Sequence, residues 1–407
     1  MLIVKKFGGS SVADAECIRR VANTIVKSYK EGNKVVVVLS AQGDTTDELI
    51  EKANEINPNA SKREMDMLLA TGEQQSVALM AMAIEAMGYP VVSLNAFQCN
   101  IYSTSTHSNA RIKNISVERI ENELDNKNIV IITGFQGINR NLDVTTLGRG
   151  GSDTSAVALA AKLGADVCEI YTDVDGVYTC DPRIVKGAVK LNEISYDEML
   201  ELATLGAKVL HNRSVELAKK YNVNLVVRSS MSDAEGTVVK EEAKVEKMLV
   251  SGVAVDKNVA RIALIGLKDE PGTAFKLFSL LSKKKISVDL IIQSIGRSDT
   301  KDISFTVTRD DFKETIAILE ENKDSLGYSE VKTNTEVAKV SVVGAGMATN
   351  SGVAAMLFEA TFDAHINVRM ISTSEIKISL LVDEKDADRA AEVIHDKFIN
   401  TGIKARE

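Results

Sequence analysis

From the N-terminus to about position 230, short apolar runs alternate with longer segments whose apolar residues recur at helical spacing. Leu2–Val4 is a short apolar strand that leads into Lys5, Lys6, Phe7, Gly8 and Gly9. Ile18, Val21, Ala22, Ile25 and Val26 then mark one face of a helix ending near Gly32. Lys34–Leu39 (KVVVVL) is apolar almost without interruption, the pattern of a central parallel strand covered on both sides. A helix is predicted from about Asp47 to Ile56. Ser61-x-x-Glu64 is a capping box that opens a long helix to about Met87. Further strands are predicted at Val91–Leu94, Ile129–Ile132, Val167–Tyr171 and Asn224–Arg228, and helices at Ile115–Leu124 and 152–164. Ser195-x-x-Glu198 is a second capping box, ahead of helices running through Gly206 to Tyr221. This alternation implies an α/β sandwich with a mainly parallel central sheet.

Beyond a polar, charged linker at 231–247, the pattern repeats. Gly272 and Gly352, Leu277-Phe278 and Leu357-Phe358, and Ile286 and Ile366 recur at one constant offset. Each copy reads strand, glycine-led helix, strand, strand, helix, roughly 70 residues of ferredoxin-like α+β folding. The predicted domains are therefore 1–230, 248–333 and 334–407, the last two free to exchange strands. Two copies are too few for a solenoid and suggest a pair of modules with a ligand pocket between them.

Composition narrows the class. At 407 residues with 44% hydrophobic and 26% charged positions, the chain is long enough for two or three soluble globular domains. A net charge of −8 disfavours nucleic acid or an anionic membrane as partner. No apolar run is long enough to span a bilayer, and the N-terminal apolar stretch is too short for a signal peptide. Cys17, Cys99, Cys168 and Cys180 match neither a zinc pattern nor a disulfide framework, as expected of ordinary thiols in a reduced cytoplasm.

The candidate chemistry sits in loops that follow predicted strands: Lys6–Ser11, Ser40–Thr46, Gly134–Gly137, Arg149–Asp153 and Thr172–Asp175. Parallel strands bring such loops to one sheet edge, where open α/β sheets bind ligands. TTLGRGGSDTSAVA, Thr145–Ala158, puts a cation, two glycines and a carboxylate ahead of a helix, with Ser152 or Asp153 as caps. Lys6, beside a glycine pair at a strand end, is placed to hold a phosphate. Glu73, in a helix interior after Gly72, is either a solvated charge or an inward carboxylate with a cationic partner. Lys, Arg, Asp, Glu, Ser, Thr and Gly without a reactive Cys–His pair suit phosphoryl transfer, which needs positioning and charge neutralisation.

KFGGSSV (Lys6–Val12), SAQGDTTDEL (Ser40–Leu49), TGE (Thr71–Glu73), TTLGRGGSDT (Thr145–Thr154), YTDVDGVYTCDPR (Tyr171–Arg183) and GAKVLH (Gly206–His211) together resemble the aspartokinases of the amino-acid kinase superfamily. The C-terminal repeats resemble that family's paired ACT domains. The resemblance covers essentially the whole chain. It implies transfer of the γ-phosphoryl group of MgATP to the side-chain carboxylate of L-aspartate, the first step of lysine, threonine and methionine biosynthesis. Acetylglutamate, glutamate and UMP kinases share the sheet, but the TGE and GRGGSDT contexts and the double ACT tail argue against them.

Carried over by position, the resemblance makes Lys6 and Asp153 the catalytic pair. It assigns Ser40, Thr46, Glu73, Arg149 and Ser152 to aspartate, with Arg149 on the α-carboxylate and Glu73 on the ammonium. Lys6, Phe7, Gly8, Gly9, Thr172, Asp173, Tyr178, Arg183 and Lys208 go to the nucleotide. No metal ligand is assigned to a protein side chain, Mg²⁺ arriving with ATP. No general base is required, since the attacking carboxylate is ionised at neutral pH. The ACT repeats imply an amino-acid effector, lysine or threonine or both, bound near Asp269, Thr273, Ala274, Asp289 and Gln293 in the first copy and Asn367, Val368, Ser374 and Glu375 in the second. They also imply a homo-oligomer, and leave open a separate short regulatory chain.

Overall fold

A computed structural model describes residues 1–205, 209–241, 249–295, 300–347, 350 and 352–400. Contacts divide the chain into one unit of Met1–Val177, Lys190–Thr204 and Lys208–Val245, and a second of Tyr178–Val189, Leu205–Ala207 and Glu246–Glu407.

In the first unit, β1 (Leu2–Phe7), α1 (Ala15–Lys30) and β2 (Lys34–Leu39) follow the predicted alternation, and α2 (Thr45–Ile56) precedes the long α3 (Lys62–Ala86). Next come β3 (Val91–Leu94), β4 (Ile101–Ser103), β5 (Ile112–Ile115), α4 (Glu118–Asp125), β6 (Ile129–Thr133), β7 (Gln136–Ile138) and β8 (Val144–Thr146). The unit continues through α5 (Gly151–Leu163), β9 (Val167–Thr172), β10 (Glu193–Ser195), α6 (Tyr196–Thr204), α7 (Asn212–Tyr221), β11 (Leu225–Ser229) and β12 (Thr237–Lys240).

Eight of these strands form one sheet in the order β10-β12-β11-β9-β1-β2-β6-β3, antiparallel only at β11–β12. The runs of its central strands are apolar throughout because both faces are covered. On one face Val35, Val37 and Leu39 pack with Ile18 and Ile25 of α1 and with Met80 and Ile84 of α3. On the other lies α5, whose first turns are nearly all buried.

Three differences from the sequence reading have local causes. The polar linker contains β12, whose Thr237 and Val239 turn inward against β11. A short alternation inside a charged stretch does not register as a strand. A second, four-stranded sheet, β5-β4-β7-β8, occupies what reads as polar loop, and Ile115, predicted to start a helix, is the last residue of β5. Finally, α5 begins at Gly151 with left-handed Gly150 as its N-cap, so Ser152 and Asp153 lie in its first turn and are not caps.

The second unit carries both repeats as βαββα. The first is β13 (Gly252–Lys268), α8 (Thr273–Lys283), β14 (Ile291–Ile295), β15 (Thr300–Val307) and α9 (Arg309–Glu321), followed by a one-turn α10 (Lys323–Leu326). The second is β16 (Glu330–Val343), α11 (Val353–Asp363), β17 (Val368–Thr373), β18 (Lys377–Asp383) and α12 (Ala387–His395). One six-stranded sheet, β14-β15-β13-β16-β18-β17, serves both copies. Its central pair, β13 and β16, runs antiparallel from Gly252 opposite Val343 to Ile265 opposite Glu330, so each long strand extends across both modules.

The second unit also includes Tyr178–Val189, which the sequence reading places in the catalytic half. Cys180 and Val185 are buried in the core of the second repeat beside Val340, Leu357 and Ile394. Thr179 binds there as well, through Oγ1 to Nε2 of His395 (2.8 Å) and through its carbonyl to the N–H of Val253 (2.7 Å). Among the described residues no helix is long and apolar enough to cross a membrane.

Candidate active site

The loops at the C-terminal ends of β1 and β2 and the first turn of α5 surround a cavity of 310 Å³. Lys6, Gly8 and Gly9 supply one wall, Ser40 and Thr46 a second, and Arg149, Ser152 and Asp153 a third, with Glu73 entering from α3. Every residue that the sequence reading assigns to catalysis or to aspartate therefore lines one space.

Strand alternation separates the two neighbouring lysines. Lys6 faces α5, and its Nζ lies 2.6 Å from Oδ1 of Asp153. Lys5 faces the opposite side, where it pairs with Glu169 and donates to the Tyr171 hydroxyl at 3.1 Å. Arg228 completes that second cluster, its Nε 3.0 Å from Glu169. Burial lowers the Lys5 pKa and raises that of Tyr171. The cluster borders a larger cavity of 510 Å³ on the far face of the sheet. Its buried charges are already matched to one another, whereas those around Glu73 are not.

Glu73 shows the contrast. It is 3% exposed. Its Oε1 accepts from the N–H of Ala41 at 3.1 Å, while Oε2 is buried without a hydrogen-bond partner among the described residues. Burial raises its pKa to about 7. The carboxylate is thus directed inward, but among the described residues no cation of the chain meets it. Gly72 makes this approach possible, since a Cβ there would lie 2.8 Å from the Ala41 side chain. Arg149 is exposed, with no ion pair or hydrogen bond of its guanidinium among the described residues. The cavity thus presents one unmatched cation, one unmatched carboxylate and a Lys–Asp pair.

The sequence reading names the Gly134–Gly137 turn but gives no role to Phe135, which also lines the cavity. Its backbone has φ 65°, and its N–H donates to Oγ of Ser155 at 3.1 Å. A left-handed non-glycine residue in a cavity wall is a mark of a functional site, but sequence periodicity carries no sign of it. Phe7 does not line the cavity: its side chain is buried on the α1 face and stacks on Tyr171 at 4.4 Å.

Residues 1–229 match the amino acid kinase family, and residues 262–322 and 340–398 match the ACT domain. An aspartokinase from Bacillus sp. strain MGA3 is 50% identical over 402 residues, covering 98% of each chain. The chain belongs to the aspartokinase family. Among solved structures, Escherichia coli aspartokinase III in complex with aspartate and ADP superposes with a TM-score of 0.82 at 26% identity, covering 98% of this chain and 99% of that one. The same enzyme in complex with lysine and aspartate gives 0.78 at 25% identity, with the same coverage.

In this member of the aspartokinase family the remaining described candidates are not among the residues that line the cavity. Thr172 ends β9 and donates through Oγ1 to Asp173 at 2.9 Å; neither lines the cavity. Tyr178 and Arg183 belong to the segment packed into the second unit, and Arg183 forks onto Asp181 with a 2.7 Å contact. Lys208 lies outside the described residues. Asp269 pairs with Lys301 at 3.1 Å, and Thr273 Oγ1 donates to the carbonyls of Lys268 and Glu270 at 3.0 Å, with Ala274 next in α8. Asp289 pairs with Lys339, and Gln293 sits opposite Ile303.

The effector candidates are distributed over both copies of the repeat. Gln293 is on β14 and Val368 on β17, the two outer strands of the six-stranded sheet, and Leu290, beside β14, packs in one cluster with Met370 of β17. Asn367 precedes β17 and Val368 begins it, while Ser374 and Glu375 follow its other end, about 20 Å away. The constant offset matched the two copies but carried no distance between them.

Proposed function

We propose that the cavity between Lys6, Glu73 and Arg149 binds L-aspartate against the γ-phosphoryl group of MgATP and transfers that group to the side-chain carboxylate, giving 4-phospho-L-aspartate and ADP. Membership in the aspartokinase family makes the chain a phosphotransferase with a carboxyl acceptor. The observation that carries the finer reading is charge matching. Aspartate has one ammonium and two carboxylates. The cavity wall has a Glu73 carboxylate oxygen without a hydrogen-bond partner among the described residues, a guanidinium at Arg149 and the ammonium of Lys6.

Arg149 clamps the α-carboxylate, a bidentate geometry that suits guanidinium. Glu73 takes the ammonium, which draws its raised pKa back down because an adjacent cation favours the ionised form. The side-chain carboxylate then faces Lys6. Ser40, Thr46 and Ser152 supply hydroxyls around the substrate. Lys6 neutralises charge on the transferring phosphoryl group, and Asp153 orients Lys6. The backbone of Gly8 and Gly9 closes on the phosphates. Thr172, Asp173, Tyr178, Arg183 and Lys208 hold the rest of the nucleotide, and Mg²⁺ enters as the MgATP complex.

The C-terminal unit senses an end-product amino acid, lysine or threonine or both. The regulated form is a homo-oligomer assembled through the ACT repeats. ADP release that depends on both L-aspartate and MgATP, with the acyl phosphate trapped as hydroxamate, tests the activity. Folded protein whose ATP turnover no amino acid stimulates would sink the reading.

A further inference from the structure

The groups that fix the frame of the Arg149 loop lie outside the cavity. Asp66 is fully buried on α3, two helical turns before Glu73 and on the same face. Its carboxylate accepts from His107 Nδ1 (2.8 Å), the N–H of Ser108 (3.0 Å), the N–H of Thr146 (3.1 Å) and the hydroxyl of Thr146 (2.6 Å). Half-buried Arg213 on α7 donates Nη1 to the carbonyl of Leu147 (3.0 Å) and Nη2 to that of Ala110 (2.8 Å).

These bonds close a frame. The N–H of Ala110 donates to the carbonyl of Thr146 (2.9 Å), and the N–H of Leu147 to that of Phe135 (2.8 Å). All four backbone polar groups of Thr146 and Leu147 are therefore bound, immediately before Gly148. The N–H of Gly151 then returns to the carbonyl of Gly148 at 2.9 Å. Arg149 projects from this fixed turn with its own guanidinium unengaged among the described residues.

We propose that Asp66 and Arg213 are positioning residues for Arg149. They hold the backbone from Thr146 to Gly148 so that the guanidinium meets the α-carboxylate of the acceptor already oriented. The inference rests on the reading of Arg149 as the aspartate clamp. A carboxylate is needed at 66 because every group facing it is a donor; the amide of asparagine would turn an NH₂ toward one of them. Arg213 is needed because one planar fork reaches two carbonyls on separate segments, which lysine cannot do.

The test is steady-state kinetics on full-length Asp66→Asn, Arg213→Gln and Arg149→Ala, and on each of the first two combined with the third. Each positioning variant should raise the aspartate KM about 10- to 100-fold, the range expected of misplacing a binding group by about 1 Å. The ATP KM should change less than about twofold, a split that general destabilisation would not produce. On the Arg149→Ala background either substitution should add less than about twofold, because residues acting through one group are not additive. Arg213→Lys should recover part of the aspartate affinity. Full multiplicative effects on that background, or an unchanged aspartate KM in both single variants, would overturn the inference. If Asp66→Asn does not fold, the Arg213 series decides alone. Arg149→Ala with a normal aspartate KM defeats the clamp reading itself, and the positioning roles with it.

Discussion

Lys6 at the end of β1 and Asp153 in the first turn of α5 meet at 2.6 Å, each with 12% of its side chain exposed. They are far apart in sequence, and the pairing puts one cation and one carboxylate in the wall of the cavity at the sheet edge. Lys6→Met should lower turnover by at least about 10²-fold, the scale of losing one preorganised charge contact. It should lower stability by only about 1–3 kcal/mol, since the freed carboxylate can face the cavity. Turnover together with a thermal melt separates the two effects, and near-normal rates would remove Lys6 from its role.

Glu73 sets a pH dependence whose sign follows from its raised pKa. Between about 4.5 and 7 the folded protein keeps a proton on Glu73 that the unfolded chain has lost. Its contribution to stability is present below that window and is lost as pH rises through about 7, an effect of about 3 kcal/mol at most. Glu73→Gln should remove this slope in melts at a series of pH values. Saturating L-aspartate should also flatten it, and binding near neutral pH should release protons. Calorimetry in buffers of different ionisation enthalpy measures that release; none would argue against contact with the ammonium.

Gly150 caps α5 at φ 67°, and a Cβ there would lie 2.2 Å from the His211 ring. Gly164 ends the same helix at φ 60° with nothing within 4 Å. Gly164→Ala should therefore cost about 1 kcal/mol from backbone strain alone. Gly150→Ala should cost about 2–4 kcal/mol and raise the aspartate KM, because the clash must displace either His211 or the Arg149 loop. Equal destabilisation in urea titrations would refute the steric account.

The segment Tyr178–Val189 changes what truncation should do. Removing residues 248–407 takes away the apolar cover of Cys180 and Val185 and the His395 partner of Thr179. Such a chain should lose amino-acid inhibition. It should also bind MgATP about tenfold or more weakly, since the nucleotide candidates Tyr178 and Arg183 lose their support. A truncated chain with an ordinary ATP KM would separate that segment from the nucleotide. Thr179→Val in the full chain should cost about 1–3 kcal/mol by leaving His395 and the N–H of Val189 unpaired.

Much of the fold was legible because local patterns report local facts. The apolar run Lys34–Leu39 identified a strand covered on both faces. The offset between Gly272 and Gly352 identified two repeated modules, and both appear as βαββα. Short strands such as β4 and β7 were missed because so few positions cannot display a period. Residues on strand-end loops could be nominated for one site because parallel topology carries all such loops to one edge. Asp66 could not, since a carboxylate in a helix looks the same whether it faces water or four donors.

The order of the main helices and strands, the duplication and the residues nominated for catalysis and for aspartate were present in the amino-acid order. So was the placement of Lys5 and Lys6 on opposite faces of β1, since alternation along a strand is a local property. What each lysine meets was not: Glu169 and Tyr171 for the one, Asp153 for the other. Nor was the burial of Glu73 with an oxygen unpaired, or the packing of Tyr178–Val189 with the C-terminal repeats. The difference is one of range. Periodicity and capping act within a few residues, whereas burial, charge pairing and the crowding at Gly150 depend on groups that folding brings together from far along the chain.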